Sequence, residues 1–198
     1  KKVLDEYIVE EEVKPVKKFR SFDEETLKYF GLGYVEKITL NKRGGGEYTL
    51  YKRLLFPIRF KEKQIGIALR RTKSTDVPKW SNQPLNIDTG EILYNYDNTI
   101  GKSSIVVVEG ITDVWAYHEL GITAVATFGA HMTDKQYKLL MKTGADIILS
   151  YDGDEAGRKA TKKAIELLKN KANIYLIDIP EGKDPEGLDR KELLILYE

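Results

Sequence analysis

Two aspartates one residue apart dominate the run Ser150-Tyr151-Asp152-Gly153-Asp154-Glu155-Ala156-Gly157-Arg158, which lies between the apolar Ile147-Ile148-Leu149 and a helix-like stretch from Ala160 to Lys169. In an extended chain residues i and i+2 point the same way, so Asp152 and Asp154 can reach one site. Like charges that close raise each other's protonation cost unless a cation neutralises them. A third carboxylate, Glu109, stands 43 residues upstream of Asp152, where Val106-Val107-Val108 gives way to Glu109-Gly110. Three acids at the ends of apolar runs are a ligand set for a hard divalent cation. Metal ions held there can activate a hydroxyl nucleophile and steady a departing pyrophosphate, so the chemistry in view is phosphoryl transfer.

Composition narrows the metal. The chain of 198 residues has no cysteine and two histidines. That leaves oxygen ligands, excludes cysteine-ligated zinc, and favours Mg²⁺ or Mn²⁺, two or more ions being within reach of the acids. The absence of cysteine and of any signal-like or membrane-length apolar run fits a cytoplasmic protein. A hydrophobic content of 41% is ample for a buried core. The formal net charge of +1 conceals a division: between Lys42 and Lys79 stand eleven Lys or Arg against three acids, Glu47, Glu62 and Asp76. The rest of the chain is correspondingly acidic. A basic part beside an acidic, metal-binding part suits a polyanion brought to a metal centre.

The elements that must position these residues fall into two rhythms. Residues 1–18 read as a charged arm or linker. Phe22 to Phe30 reads as a helix, capped by Ser21 or Asp23 and ended by Gly31. Asn41 to Gly46 is a loop or hairpin tip, and Tyr48 to Phe60 and Gln64 to Arg71 are strands joined by Lys61-Glu62-Lys63. Thr72 to Asn98, with Pro78, Pro84 and Gly90, reads as irregular. From Ser103 strands and helices alternate: strand Ser104–Val108, helix Thr112–Leu120, strand Ile122–Phe128, helix Thr133–Lys142, strand Ile147–Tyr151, helix Glu155–Lys169, strand Asn173–Ile179. Alternation of this kind predicts an α/β fold, a mainly parallel sheet with helices on both faces, whose ligands gather beyond the carboxyl ends of the strands. Glu109, Asp152 and Asp154 all fall at those ends.

Glu109-Gly110 with Asp113, then Asp152-Gly153-Asp154 followed by Ala156-Gly157-Arg158, resembles the Toprim domain shared by primases, topoisomerases and some nucleases. The wording is most similar to bacterial-type (DnaG-type) DNA primases and their phage relatives. Arg53-Leu54-Leu55-Phe56-Pro57-Ile58, Arg70 or Arg71, and Pro78-Lys79-Trp80-Ser81-Asn82-Gln83-Pro84 resemble the basic N-terminal part of the primase core. Gly182-Lys183-Asp184-Pro185 resembles its late acidic turn. The resemblance implies a Rossmann-like Toprim domain over 103–198 and a smaller basic α+β subdomain over 19–102. It implies that Glu109, Asp152 and Asp154 bind catalytic metals, with Asp113 and Asp184 as further acids. Arg53, Arg70, Arg71, Lys79 and Asn82 would meet nucleotide or nucleic acid. The implied reaction is RNA primer synthesis on a single-stranded DNA template from ribonucleoside triphosphates, beside a replicative helicase and a separate zinc-binding module, with no membrane. Departures point to a divergent phage or plasmid member acting in a host cytoplasm: no zinc-binding cysteines, Asp88-Thr89-Gly90-Glu91 where a basic residue is expected, and Ala68-Leu69 where a glycine pair is usual.

The same residues admit plainer roles. Asp113 lies in the first turn of a helix, where an acid favours the dipole anyway. Asp184 can simply open a turn before Pro185. Arg158, Lys159, Lys162 and Lys163 read as a solvated helix face paired with Glu155 and Glu166. Trp115 and Tyr117 read as core and rim, and Trp80 as packing or as a stacking surface. Two other functions remain open: a Toprim nuclease or topoisomerase fragment, and a non-catalytic nucleic-acid-binding module.

Overall fold

The computed structural model describes residues 12–41, 45–76, 78–83 and 87–198. The chain divides into two compact units, Lys1–Ile87 and Asp88–Glu198. Within the charged arm expected at the start, residues 1–11 lie outside the described residues, as do Lys42 to Gly44 of the glycine-rich tip and Pro84 of the motif after Trp80.

The first unit is a five-stranded antiparallel sheet in the order β1 (Lys14–Pro15), β2 (Gly33–Asn41), β3 (Glu47–Phe60), β4 (Lys63–Arg71) and β5 (Trp80–Gln83). Its helix α1 (Glu24–Phe30) starts where Asp23 accepts from the Thr26 N–H and stops at Gly31, whose φ of 73° is left-handed. β3 and β4 turn through Lys61 and Glu62, both at positive φ (53° and 62°), the backbone a two-residue hairpin requires. Lys63, expected in the turn, instead pairs with Phe60. Two strands escape a hydrophobic-pattern reading. β5 is short, polar and flanked by prolines; backbone pairing with β4 makes it a strand. β1 is a two-residue edge strand carrying a proline, an ordinary edge composition. Val35, Ile38, Leu40, Leu50, Leu55, Ile67 and Leu69 form the core on one face of the sheet.

The second unit is a parallel sheet ordered β7 (Ala124–Ala126), β6 (Ser104–Val108), β8 (Asp146–Leu149), β9 (Ile174–Leu176). Helices α2 (Ile111–His118), α3 (Asp134–Thr143) and α4 (Glu155–Leu168) make the crossovers, and α5 (Arg190–Tyr197) follows β9. The chain runs outward from β6 to β7, then crosses back over β6 to β8 and on to β9. Right-handed crossovers therefore put α2 on one face and α3 and α4 on the other. The α/β expectation holds, and it gains a detail: the direction of winding reverses between β6 and β8, the place where such sheets open a crevice for ligands. β6 spans the residues expected of it, whereas β7, β8 and β9 end earlier than expected, because the chain leaves the sheet there to build loops.

Residues 88–102, assigned by sequence to the basic subdomain, fall in the second unit. Tyr94 and Ala126 exchange backbone hydrogen bonds along the free edge of β7. Gln136 of α3, fully buried, donates its amide to the carbonyls of Thr89, Ile92 and Thr127 at 2.9–3.0 Å, fastening the segment to the sheet. Among the described residues, no helix is long and apolar enough to cross a membrane.

Candidate functional site

The carboxyl ends of β6 and β8 are bound together before any acid is placed. Ser150, the residue after β8, donates its backbone N–H to Val107 in β6 at 2.9 Å. Glu109 follows β6 and Asp152 follows β8, and the Asp152 N–H points at Glu109 Oε1 across 3.4 Å. Gly153 then presses on a second loop. It donates to Lys183 O at 2.9 Å and accepts from the Gly182 N–H at 3.0 Å. A Cβ there would stand 2.0 Å from Pro180 O, which explains the glycine between the two aspartates. Asp154 caps α4, accepting from the Gly157 N–H at 2.7 Å. Gly157 packs on the backbone of Asp152 so closely that a Cβ would meet the Asp152 carbonyl oxygen at 2.0 Å. The glycines are thus the fittings by which a strand end, a helix start and the 180–184 turn share one small volume.

That volume is an open cleft of about 380 Å³, lined by Asp152, Asp154, Gly182, Lys183, Asp184 and Gly187. Asp184 opens the turn before Pro185, taking the Gly187 N–H on Oδ1 at 2.6 Å, and also lines the cleft. Asp113 does not line the cleft. It is 5% exposed, and each carboxylate oxygen accepts a backbone N–H: Gly110 at 3.0 Å and Glu186 at 3.1 Å. It ties the start of α2 to the turn that carries Asp184. Lys183 was not singled out in the sequence, although a lysine inside an acidic turn was its signal.

The acids are held at a cost. Burial, then the charges of Asp152 and Asp154, raise Glu109 to about 7 against the opposing pull of the Asp152 N–H. Burial, then Asp184 and Asp154, raise Asp152 to about 6. Asp113 is pushed well up by burial and then by Asp152 and Asp184. Oδ1 of Asp152 is buried without a hydrogen-bond partner among the described residues. Crowded carboxylates and an orphaned oxygen fit a hard cation, which would relieve both penalties at once. Among the described residues no three His, Cys, Asp or Glu side chains already enclose an ion position. Asp152, Asp154 and Asp184 line the cleft, Glu109 and Asp113 are not among its lining residues, and the acids do not form a finished cage.

The basic residues of the first unit divide between the two faces of its sheet. Register pairs Arg70 with Trp80 and Ala68 with Asn82, so Arg70, Trp80 and Asn82 share a face. The Arg70 guanidinium lies 5.5 Å from the centre of the Trp80 ring and 5.6 Å from that of Phe19. Burial, then Arg20 and Arg71, lower its pKa. Arg53 and Arg71 pair with each other on the opposite face. Arg53 is only 3% exposed and 3.9 Å from the Asp76 carboxylate, and Arg71 donates to the Asp76 carbonyl at 2.7 Å. Both therefore anchor the loop around Asp76, and a single groove lined by all five residues is not what the register builds. Lys79 is exposed beside Arg71, whose N–H it accepts on its carbonyl at 3.1 Å.

The chain is similar to known proteins in both sequence and fold. A family model described as Toprim-like matches residues 106–188. A DNA primase of Clostridium acetobutylicum is 30% identical across 87% of this chain, which spans 34% of that relative's length. The RNA polymerase domain of Mycobacterium tuberculosis primase DnaG superposes with a TM-score of 0.73 at 25% identity, covering 89% of this chain and 72% of that domain. A DnaG primase catalytic domain bound to single-stranded DNA superposes with a TM-score of 0.68 at 28% identity, covering 85% of this chain and 66% of that one. The chain spans about a third of the length of the curated relatives that match most of it. Toprim primase homologues imply divalent-metal use in general.

Proposed function

We propose, from its similarity to the catalytic cores of DNA primases and from the Toprim-like match at residues 106–188, that this chain joins ribonucleotides into short RNA primers on single-stranded DNA. The observation that carries the reading is the carboxylate cleft beyond the carboxyl end of β8, with Glu109 from the end of β6 facing the Asp152 N–H. Glu109, Asp152, Asp154 and Asp184 would hold Mg²⁺ or Mn²⁺, while Asp113 keeps the Asp184 turn in place. Cations bound there would lower the charge that repels a triphosphate and would polarise the phosphoryl group. Lys183, at the rim, takes part of the triphosphate charge. In the first unit the exposed Trp80 edge, Arg70, Lys79 and Asn82 meet template or nucleotide, by stacking and by contact with phosphate. A replicative helicase and a separate zinc-binding module complete the proposed machinery.

The test is incubation of the protein with labelled single-stranded DNA, ribonucleoside triphosphates and Mg²⁺ or Mn²⁺. RNA products that disappear in Asp152→Asn, with a loss above about 100-fold, are the expected result, since even a group behind a metal ligand typically contributes 10–100-fold. Shortened DNA instead of new RNA would turn the reading to a nuclease. Binding without any product would turn it to a recruiting module.

A further inference from the structure

Helix α2 turns two polar side chains into the protein one turn apart, Asp113 and Tyr117, which share a face as residues i and i+4. Asp113 holds the turn that carries Asp184. Tyr117 does something parallel for the other loop. Its side chain is fully buried, and its hydroxyl shares a hydrogen bond of 2.7 Å with Ser150 Oγ, itself 0% exposed. Ser150 is where β8 has ended and the chain departs toward Asp152. Burial pushes the Tyr117 phenol well up, so it stays neutral.

We propose that Tyr117, acting through Ser150, is a positioning residue that sets where Asp152 stands in the cleft and so tunes the cleft's affinity for a divalent cation. The inference rests on the reading of the cleft as a cation site. Its physical ground is the balance of forces on residues 150–154. Asp154 and Asp184 repel Asp152. One of the loop's contacts, from the Asp152 N–H to Glu109 Oε1, uses a carboxylate that must itself turn toward an arriving ion. The Tyr117–Ser150 bond carries no charge, lies in the dry interior, and has no reason to rearrange when an ion arrives. A buried hydroxyl pair also resists displacement, because breaking it leaves two unsatisfied polar groups without water. Asp113 and Tyr117 together make α2 the common footing of both acid-bearing loops.

The experiment measures Mn²⁺ binding to the folded protein by electron paramagnetic resonance of the free ion. Four variants are compared with the natural sequence: Tyr117→Phe, Ser150→Ala, the double variant, and Tyr94→Phe. The last deletes the hydroxyl that accepts from Trp115 Nε1 at 3.1 Å, a buried bond to the same helix that does not lead to the acid loop. Removing a group that orients a metal ligand typically weakens binding 10–100-fold, and this group stands one bond further back, so roughly tenfold is expected for Tyr117→Phe and for Ser150→Ala. The double variant should be no weaker than either single one, since all three lose the same bond. Tyr94→Phe should lower the melting temperature and leave Mn²⁺ affinity where it was. Unchanged affinity in Tyr117→Phe and Ser150→Ala, additive losses in the double variant, or an equal loss in Tyr94→Phe would each overturn the positioning role while leaving the cation site standing. If the natural protein takes up no Mn²⁺, the cation reading itself fails and the positioning role goes with it.

Discussion

Glu109 and Asp152 have raised pKa values of about 7 and about 6, in both cases chiefly from burial and then from neighbouring carboxylates. A carboxylate whose folded pKa exceeds its unfolded one contributes most below the unfolded value, and that contribution is lost as pH rises through the folded value. Without metal, ionising Asp152 therefore weakens the fold between about pH 4 and pH 6, a window bounded by its ordinary and raised values. The expected outcome in EDTA is that Asp152→Asn melts above the natural protein at pH 8, by about 2–4 °C for each kcal/mol recovered, and level with it below pH 4. Thermal melts across that range decide it. A variant that melts lower than the natural protein at pH 8 would mean that the Asp152 charge is already compensated.

At the scale of elements, glycines convert strand ends into a site. Gly157 occupies the first turn of α4, where alanine would ordinarily favour the helix by about 1 kcal/mol. Here the Cβ would meet the Asp152 carbonyl oxygen at 2.0 Å, backbone that cannot swing aside. Gly157→Ala should therefore push Asp152 out of register with Glu109 and weaken Mn²⁺ binding, despite the better helix former. Retained affinity measured by Mn²⁺ titration would show that the contact relaxes elsewhere. On the same helix Lys159 pairs with Glu155 at 2.6 Å as spacing predicts, whereas Arg158 turns to Glu181 at 3.4 Å. Both pairs are exposed, so they contribute little to stability.

At the scale of the whole molecule, the division at Ile87 and Asp88 makes residues 88–102 part of the acid-bearing unit. Those residues cover the edge of β7 and supply carbonyl partners for the buried Gln136 amide. A fragment starting at Asp88 should fold and bind Mn²⁺ as the full chain does. One starting at Ser103 leaves part of that amide unpaired and the edge of β7 bare, and should melt well below it or aggregate. Circular dichroism melts of the two fragments, with Mn²⁺ titration of the longer one, check this, and equal stability would move the boundary back toward Ser103.

By itself the sequence determined the α/β alternation, the hairpin of β3 and β4, and the acids and their place at strand ends. Those are properties of local periodicity, turn residues and short motifs. It also carried enough wording, in Asp152-Gly153-Asp154 and Gly182-Lys183-Asp184-Pro185, to point to a primase-like core. Pairing across the chain decided the rest. β5 exists because β4 offers it an edge, and Arg53 and Arg70 part company because a sheet has two faces. Asp113 is occupied because the Glu186 N–H, 73 residues away, arrives beside it. Tyr117 reads along the chain as helix core or rim; only the packing of α2 against the end of β8 puts its hydroxyl on Ser150. Burial and long-range hydrogen bonds depend on which segments meet, and no short stretch of sequence encodes that meeting.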